Sequence, residues 1–264
     1  MTSSTTGDVL SGAEAAAYLT RLGVAAPEAP TLTALVALHR AHLMTVPFES
    51  LDIALGRPIR LDLGSLLSKV VEARRGGYCY ELNGLFAALL RHLGYAVDLV
   101  SARVMTADGE LTDPFDHMAL LVTSPVLRGR VLADVGFGDG FIEPLPLRAG
   151  WMAHERGKEV GLLREGDDWH YRERAGGGEW RTQFVFTTTP HRLADFEPRN
   201  VWQQTSPQSH FTRGPVVSRL TSTGRVTLSG RRLVTTTRGR RGEVVLDETD
   251  VPAALAGHFG IVIS

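Results

Sequence analysis

The sequence has almost no cysteine: Cys79 is the only one among 264 residues. A single cysteine excludes an intramolecular disulfide and the paired-cysteine motifs of zinc ribbons, iron–sulfur clusters and CxxC redox proteins. The HExxH spacing and the histidine-rich tracts of metal sites are also missing, so the sequence predicts no metal. We therefore expect a protein of a reducing compartment, the cytoplasm, that is stabilised by its hydrophobic core.

Charge of one sign and long apolar runs are also missing. The formal net charge is −1, which argues against general electrostatic binding to nucleic acid. No apolar run approaches the roughly 20 residues of a membrane-spanning helix. The N-terminus has neither the basic n-region nor the apolar h-region of a signal peptide. Only Lys69 and Lys158 among the 28 basic residues are lysine, which argues against a Schiff-base mechanism. We expect a globular enzyme with neither nucleic acid nor membrane as a partner.

Hydrophobic periodicity divides the chain into helical and β-rich parts. Apolar residues recur at the helical spacing up to Gly94, after which the spacing becomes that of strands. The predicted helices span residues 11–21, 32–43, 63–74 and 79–93. The predicted strands span residues 96–104, 117–123, 130–135, 161–164, 169–174, 180–187, 216–220, 226–228, 233–237 and 243–246. A short helix or loop is expected near residues 193–203, and Asp250 is expected to cap a last helix over residues 251–258.

This pattern predicts an α+β protein in three parts, without repeats or long linkers. A helical part occupies residues 1–95, a β part residues 96–204 and a smaller mixed part residues 205–264. At about 100–200 residues per domain, the length fits one large domain or a few small lobes that share a core.

The only cysteine lies where a helix begins, two residues after the pair Gly76-Gly77. Free amides and the helix dipole at a helix N-terminus stabilise a thiolate over a thiol, and Arg75 adds a positive charge nearby. The two glycines allow another backbone or an acyl group to approach closely. A lone cysteine also occurs as a small buried apolar residue, so a nucleophile and a core residue both remain open at this point.

A nucleophilic cysteine needs a base, and nine histidines compete for this role. His39, His42 and His92 lie on predicted helices, and no spacing directs them to the thiol. His117 instead opens a strongly apolar strand, where its side chain can face a cleft between two lobes. A structural role for this histidine remains the alternative.

Asp134 lies inside another apolar strand, where an unpaired carboxylate costs several kcal/mol. His117 on an adjoining strand is one possible partner, and an arginine or a backbone turn is another. The run Gly136-Phe-Gly-Asp-Gly140 that follows offers amide groups that can cradle a phosphate or pyrophosphate, although a simple turn also explains it.

Together these motifs resemble the arylamine N-acetyltransferase family. The resemblance rests on segments that follow one another in the expected order along nearly the whole chain. They are Pro47-Phe-Glu-Ser-Leu51, Arg75-Gly-Gly-Tyr-Cys-Tyr-Glu-Leu-Asn83, His117 before its apolar strand, Asp134-Val-Gly-Phe-Gly138, Leu193-Ala-Asp-Phe196, Thr205-Ser-Pro-Gln-Ser-His-Phe211, Leu228-Ser-Gly230 and His258-Phe-Gly-Ile261. The resemblance implies a helical bundle, a central β-barrel and a C-terminal α/β lid, in agreement with the three parts above.

The resemblance also implies the roles of individual residues. Cys79 would be the acyl-accepting nucleophile, His117 its base and Asp134 the group that orients the base, as in a cysteine-protease-like triad. The other implied roles are Phe48 and Phe211 in the acceptor pocket, Gly136 and Gly138 near the pyrophosphate of coenzyme A, and an ion pair between Glu49 and Arg75. Ser50 departs from the asparagine usual in the family, which changes the local hydrogen bonding behind the acceptor pocket.

Two activities follow from such a triad. One is ping-pong transfer of acetyl from acetyl-CoA to an arylamine, arylhydrazine or N-hydroxyarylamine, with coenzyme A and a small aromatic amine as partners. The other is that of the family's amide synthases, which release an ansamycin-type polyketide from an acyl-carrier-protein thioester as a macrolactam. The turn Arg238-Gly-Arg-Arg241 can meet an acidic carrier protein or CoA phosphates, or be a solvated hairpin tip. A hydrolase with the same triad and a binding module with a degenerate site remain as further alternatives.

Overall fold

The structure, a computed structural model, describes residues 8–263. The helices are α1 (Gly12–Leu22), α2 (Leu32–Thr45), α3 (Leu51–Ala54), α4 (Leu63–Leu67), α5 (Cys79–His92), α6 (Glu197–Thr205) and α7 (Val251–Ala254). A π-helical turn follows α4 (Ser68–Glu72) and another follows α7 (Leu255–Phe259), while 3-10 turns precede α6 (Leu193–Phe196) and α7 (Glu248–Asp250). No helix in this range is long and apolar enough to cross a membrane.

The strands are mostly those that the sequence predicts. They are β1 (Phe48–Glu49), β2 (Ala96–Val104), β3 (His117–Thr123), β4 (Val131–Ala133), β5 (Leu145–Pro146), β6 (Met152–Glu155), β7 (Lys158–Glu165), β8 (Asp168–Ala175), β9 (Arg181–His191), β10 (Val216–Leu220), β11 (Gly224–Ser229), β12 (Arg232–Thr237) and β13 (Arg240–Val245). Strands β1, β5 and β6 are missing from the prediction because two to four residues are too few to show a period of two.

Helices α1 and α4 begin with side-chain caps that follow their sequence signals. Ser11 and Glu14 accept each other's backbone N–H at the start of α1, at 3.4 and 2.7 Å. Asp62 accepts the N–H of Ser65 at 2.9 Å before α4. The prediction for Asp250 is wrong, because this residue is already helical at the end of a 3-10 turn and its side chain makes no cap.

Helix α5 is the centre of the helical part, because every residue from Cys79 to Leu90 is buried. It contacts α1, α4, β2 and β3. The helical spacing of the apolar residues in this segment predicts an amphipathic helix with one exposed polar face, and this is wrong for its first three turns: Glu81 and Asn83 are 1% and 0% exposed. Buried polar side chains need hydrogen-bond partners, so these two positions connect α5 to its surroundings.

An eight-stranded antiparallel sheet follows α5, with the strand order β5-β4-β3-β2-β9-β8-β7-β6. Leu120 of β3 lies opposite Ala133 of β4, so the start of β3 and the end of β4 lie at the same end of the sheet. That end carries His117 and Asp134. Within residues 8–263 no ladder joins β5 to β6, so the β part is an open half-barrel and not a closed one.

A second antiparallel sheet, of order β1-β10-β11-β12-β13, joins distant parts of the chain. In it Phe48 of β1 lies opposite Ser218 of β10. Phe48 also forms an isolated bridge with Gly77, just before α5. This sheet therefore brings the segment around Phe48, the start of α5 and the last part of the chain to one place.

Candidate active site

The two glycines before Cys79 permit very close backbone packing. A Cβ on Gly76 would lie 1.9 Å from the carbonyl oxygen of Pro47, which no side chain allows. The carbonyl of Gly77 accepts the backbone N–H of Glu49 at 2.8 Å. The segment around Phe48 is thereby held against the start of α5.

Cys79 is the first residue of α5 and is 4% exposed. Burial raises the pKa of its thiol well above the usual value, whereas hydrogen bonds from the backbone of Met118 and Tyr80 act in the opposite direction. Only the amide of Tyr80 belongs to the helix start, as the sequence suggests, whereas that of Met118 comes from β3, and desolvation outweighs both. A thiol in this position ionises at neutral pH only if a neighbouring base takes its proton.

His117 and Asp134 form a buried pair. Nε2 of His117 lies 2.7 Å from Oδ2 of Asp134, and the two side chains are 3% and 1% exposed. The other carboxylate oxygen, Oδ1, accepts hydrogen bonds from Nδ2 of Asn83 and the N–H of Gly136, both at 2.8 Å. Of the three partners considered for Asp134, the structure therefore places both the histidine and a backbone turn, through the N–H of Gly136, at its carboxylate, and no arginine among residues 8–263.

Asn83 ties α5 to both strands of this pair. It lies one helical turn after Cys79 and hence on the same side of the helix. Its Nδ2 also donates to the carbonyl of Met118 at 2.6 Å, and its Oδ1 accepts the N–H of Val135 at 2.9 Å. No role was predicted for Asn83 from the sequence, although its spacing of four from the cysteine is a signal that points to it.

Cys79 and His117 line one cavity of about 700 Å³. Phe48 and Phe211 line it as well, with ring centroids 6.2 Å apart. Its polar and charged lining residues are Thr106, Asp108, Thr112, Asp116, Arg199, Gln203, Gln208, His210 and Arg213. A cavity with aromatic walls and a few convergent polar groups is typical of a small-molecule site.

The glycine-rich loop after β4 packs directly on the start of α5. A Cβ on Gly136 would lie 2.7 Å from Cα of Cys79, and the N–H of Gly136 is occupied by Asp134. Gly138 has a left-handed backbone, with φ of 85°, and its carbonyl accepts a hydrogen bond from Arg225. Gly136 lines the cavity, and its direct contribution is to hold the carboxylate.

Gly136→Ala is therefore expected to lower kcat/KM of acyl transfer by about 10- to 100-fold, because the loop must move away from α5 and take Asp134 with it. Steady-state kinetics together with urea unfolding measure this. Gly140→Ala, in the same loop, is the matched control, because its Cβ would meet only the Phe137 side chain at 3.4 Å. Equal activity of the two variants would show that this close contact does not matter.

Glu49 and Arg75, the ion pair implied by the resemblance, lie 2.7 Å apart within a larger buried cluster. Arg75 also contacts Asp52 at 3.1 Å. Lys69 contacts Asp52 at 2.7 Å and Glu81 at 2.8 Å. Three carboxylates thus face two cations behind the start of α5.

Glu81 connects this charge cluster to the start of α5, because its Oε2 accepts the N–H of Tyr78 at 3.0 Å. Burial raises the pKa of Glu81 to about 7, while Lys69 acts in the opposite direction. Burial lowers the pKa of Lys69, but the surrounding carboxylates outweigh this effect and raise it above the usual value. In the sequence Lys69 is notable only as a rare lysine, and no local pattern indicates this role.

Ser50, the departure from the family pattern, is fully buried. Its hydroxyl accepts the N–H of Val216 at 3.1 Å, and its own N–H donates to the carbonyl of Val216 at 3.1 Å. The serine thus attaches the segment behind Phe48 to β10 with two hydrogen bonds.

His39, for which the sequence predicts no role at the thiol, contacts the same network from α2, where its Nε2 accepts the N–H of Asp134 at 3.1 Å. The sequence signal that points to this contact is the position of His39 on the apolar face of a predicted helix. Among residues 8–263, no group of three or more histidine, cysteine, aspartate or glutamate side chains is arranged to hold a metal ion.

Comparison with known proteins places this site in a family. A family model described as N-acetyltransferase matches residues 31–264. The arylamine N-acetyltransferase of Mycolicibacterium smegmatis is 39% identical over 249 residues, which cover 92% of this chain and 90% of the relative. This chain belongs to the arylamine N-acetyltransferase family. The resemblance seen in the motifs is thereby confirmed, and so is the α+β fold.

Two further relatives differ in what they do. The structure of the Mycobacterium marinum arylamine N-acetyltransferase in complex with CoA matches with a TM-score of 0.87 and 32% identity, covering 93% of this chain and 92% of that one. The proansamycin X synthase of Amycolatopsis mediterranei is 29% identical over 260 residues, 92% of this chain and 97% of the relative. Arylamine N-acetyltransferases and a synthase thus both match nearly the whole chain.

Proposed function

We propose that the protein transfers an acetyl group from acetyl-CoA to an aromatic amine through an acetyl-Cys79 intermediate. The observation that carries the proposal is the buried His117–Asp134 pair, at 2.7 Å, whose histidine lines the same cavity as Cys79. A nucleophile, its base and a carboxylate that orients the base are the three parts of a cysteine-protease-like triad.

In the first half-reaction, Nδ1 of His117 accepts the proton of the Cys79 thiol, because Nε2 is engaged by Asp134. The thiolate attacks the carbonyl carbon of acetyl-CoA, and the bond from that carbon to the sulfur of coenzyme A breaks. The departing thiolate takes the proton from His117. Asp134 stabilises the imidazolium that exists between these two proton transfers.

In the second half-reaction, the amine enters beside Phe48 and Phe211 and attacks the acetyl carbon. The amine proton moves to His117, the bond between that carbon and the Cys79 sulfur breaks, and the proton returns to the cysteine. The products are the amide and free coenzyme A. Water competes with the amine for the thioester, and the burial of Cys79, 4% exposed, limits its access.

In our proposal, each of the three parts of the chain supplies different groups of the active site. Residues 1–95 hold the nucleophile, and residues 96–204, with the half-barrel, hold the base and its orienting carboxylate. Residues 205–264 form an α/β lid, which is supported by Phe211 in the cavity wall. The relative solved in complex with CoA supports acetyl-CoA as the donor. We place the donor in this cavity, with Gly136 and Gly138 near its pyrophosphate, as the family resemblance implies.

Macrolactam formation is the second candidate function. It is supported by the similarity to a proansamycin X synthase, and the substrate would occupy the same cavity of about 700 Å³. The donor would then be an acyl-carrier-protein thioester, and the exposed turn around Arg238 and Arg241 would meet the acidic carrier. The same triad serves both reactions.

The deciding experiment offers acetyl-CoA to the purified protein, with and without an arylamine or arylhydrazine, and follows free coenzyme A by thiol titration. Cys79→Ser is run in parallel. We expect a burst of one coenzyme A per active site without amine, steady amine-dependent turnover with it, and neither in the variant.

Each other outcome selects an alternative. Steady release of coenzyme A and acetate without amine indicates a hydrolase. No release, with Cys79 still alkylated rapidly at neutral pH, indicates a different donor and favours the macrolactam synthase. No release together with slow alkylation would contradict the triad itself.

A further inference from the structure

His39 lies in the core directly behind the proposed triad and is 0% exposed. Its ring stacks on Phe141, with centroids 5.7 Å apart and planes 8° apart. Phe86 of α5 meets its edge at 6.2 Å between centroids. The ring is thus held in one orientation by aromatic neighbours from two different elements.

Both ring nitrogens of His39 have backbone partners. Nε2 lies 3.1 Å from the N–H of Asp134, and Nδ1 lies 2.8 Å from the carbonyl oxygen of Ile142. An N–H only donates and a carbonyl only accepts, so Nε2 must be unprotonated and Nδ1 must carry the hydrogen. Burial lowers the pKa of His39 to about 4, which keeps this neutral form at physiological pH.

The two partners lie on opposite sides of one loop. Asp134, predicted inside a strand, instead begins the glycine-rich loop after β4, and Ile142 lies three residues before β5, near the loop's end. Between them lie Gly136 and Phe137, which line the active-site cavity. The imidazole of His39 therefore holds the two sides of the loop together and attaches both of them to α2.

We propose that His39 is a positioning residue for acyl transfer: it joins both sides of the loop to α2 and so holds Asp134 in place against His117. The inference rests on the proposed function. Without it, the carboxylate keeps its bonds to Asn83 and Gly136, but its backbone N–H loses its partner. Because a triad tolerates little displacement of the base, a small shift there lowers the rate of chemistry more than it weakens substrate binding.

His42 provides an internal comparison. It lies one turn further along α2, is equally buried at 0%, and also contacts Phe86. Within the described part of the chain, neither of its ring nitrogens has a hydrogen-bond partner. The two histidines share residue type, helix and burial, and they differ in their bonds to the loop.

The test compares His39→Leu with His42→Leu, and adds His39→Gln, whose single amide can reach one of the two loop ends. We expect His39→Leu to lower kcat about 10- to 100-fold with KM for acetyl-CoA changed by about twofold or less. The kcat of His39→Gln should lie between those of His39→Leu and the wild type, and His42→Leu should retain the wild-type kcat. Thermal unfolding of all three shows that each assay is run on folded protein.

Alkylation of Cys79 by a small neutral thiol reagent, followed against pH, gives a readout that does not depend on the acceptor. His39→Leu is expected to slow it at neutral pH, because a displaced His117 accepts the thiol proton less well. If the wild type reacts rapidly and His39→Leu reacts equally fast, His39 is a structural residue only and the inference is wrong. Equal loss of activity in the two leucine variants would overturn it as well. If wild-type Cys79 itself does not react at neutral pH, the result contradicts the proposed function, and with it the role of His39 that rests on it.

Discussion

Asp134→Asn is expected to lower kcat/KM of acyl transfer by about 10⁴-fold while the protein stays folded. Oδ1 of Asp134 accepts two hydrogen bonds, from Asn83 and Gly136, so an asparagine would keep its carbonyl oxygen on that side. Its Nδ2 would then donate to Nε2 of His117, which moves the imidazole hydrogen to Nδ1. That nitrogen can no longer accept the proton of Cys79.

Steady-state kinetics with acetyl-CoA and Cys79 alkylation against pH measure this loss, and urea unfolding checks the fold. The matched control is Asp98→Asn, which removes a carboxylate that pairs with Arg130 at the partly exposed side of β2. The control should keep wild-type activity. Loss of less than about tenfold in Asp134→Asn would mean that the tautomer of His117 does not govern the reaction.

Lys69→Met is expected to lower the free energy of unfolding by about 3–5 kcal/mol at pH 8, because it leaves the carboxylates of Glu81 and Asp52 buried without their shared cation. The loss should be smaller at pH 5. Burial raises the pKa of Glu81 to about 7, so its carboxyl is neutral in the folded protein below that value and ionises as the pH rises through it. The unfolded carboxyl ionises near its usual value of 4.5, so the raised pKa costs stability progressively as the pH rises from about 4.5 to about 7, and the full cost is present at pH 8.

Urea denaturation at both pH values tests this, with Lys158→Met as the control, because the chain has only these two lysines. Lys158 pairs with Glu173 at 2.7 Å where the side chains are 23% and 17% exposed, so its loss should cost about 1 kcal/mol. Equal losses of unfolding free energy in the two variants would contradict a stabilising role of Lys69 in the buried cluster. A larger loss in Lys69→Met at pH 5 than at pH 8 would contradict it as well.

Most elements of the fold are predictable because their signals are local. The long segments that form α5, β2 and β9 show a helical or strand period, and β3 shows an unbroken apolar run, without any knowledge of what packs on them. The two-residue strand β1 shows none, although it joins Phe48 to β10 and bridges to Gly77. Such a strand exists only because distant segments supply its hydrogen-bond partners.

The proposed triad divides in the same way. Motif spacing and resemblance direct attention to Cys79, His117 and Asp134, since each lies in a recognisable segment. The same sequence suggests that the helix start favours a thiolate, whereas burial in the folded protein raises the pKa of the thiol. Desolvation is a property of the surroundings, so no local pattern reports it.

By itself, the sequence determined the class of the fold, the position of the helix that begins at Cys79 and the family, because these depend on periodicity and on short motifs. Only the tertiary structure decided which buried polar groups act together. His39 and His42 look alike on one helix, yet one bonds to the glycine-rich loop and the other has no hydrogen-bond partner among residues 8–263. Lys69 likewise becomes the centre of a charge cluster only through Asp52 and Glu81. The reason is physical: hydrogen bonds and desolvation act between atoms that folding brings together, whatever their separation along the chain.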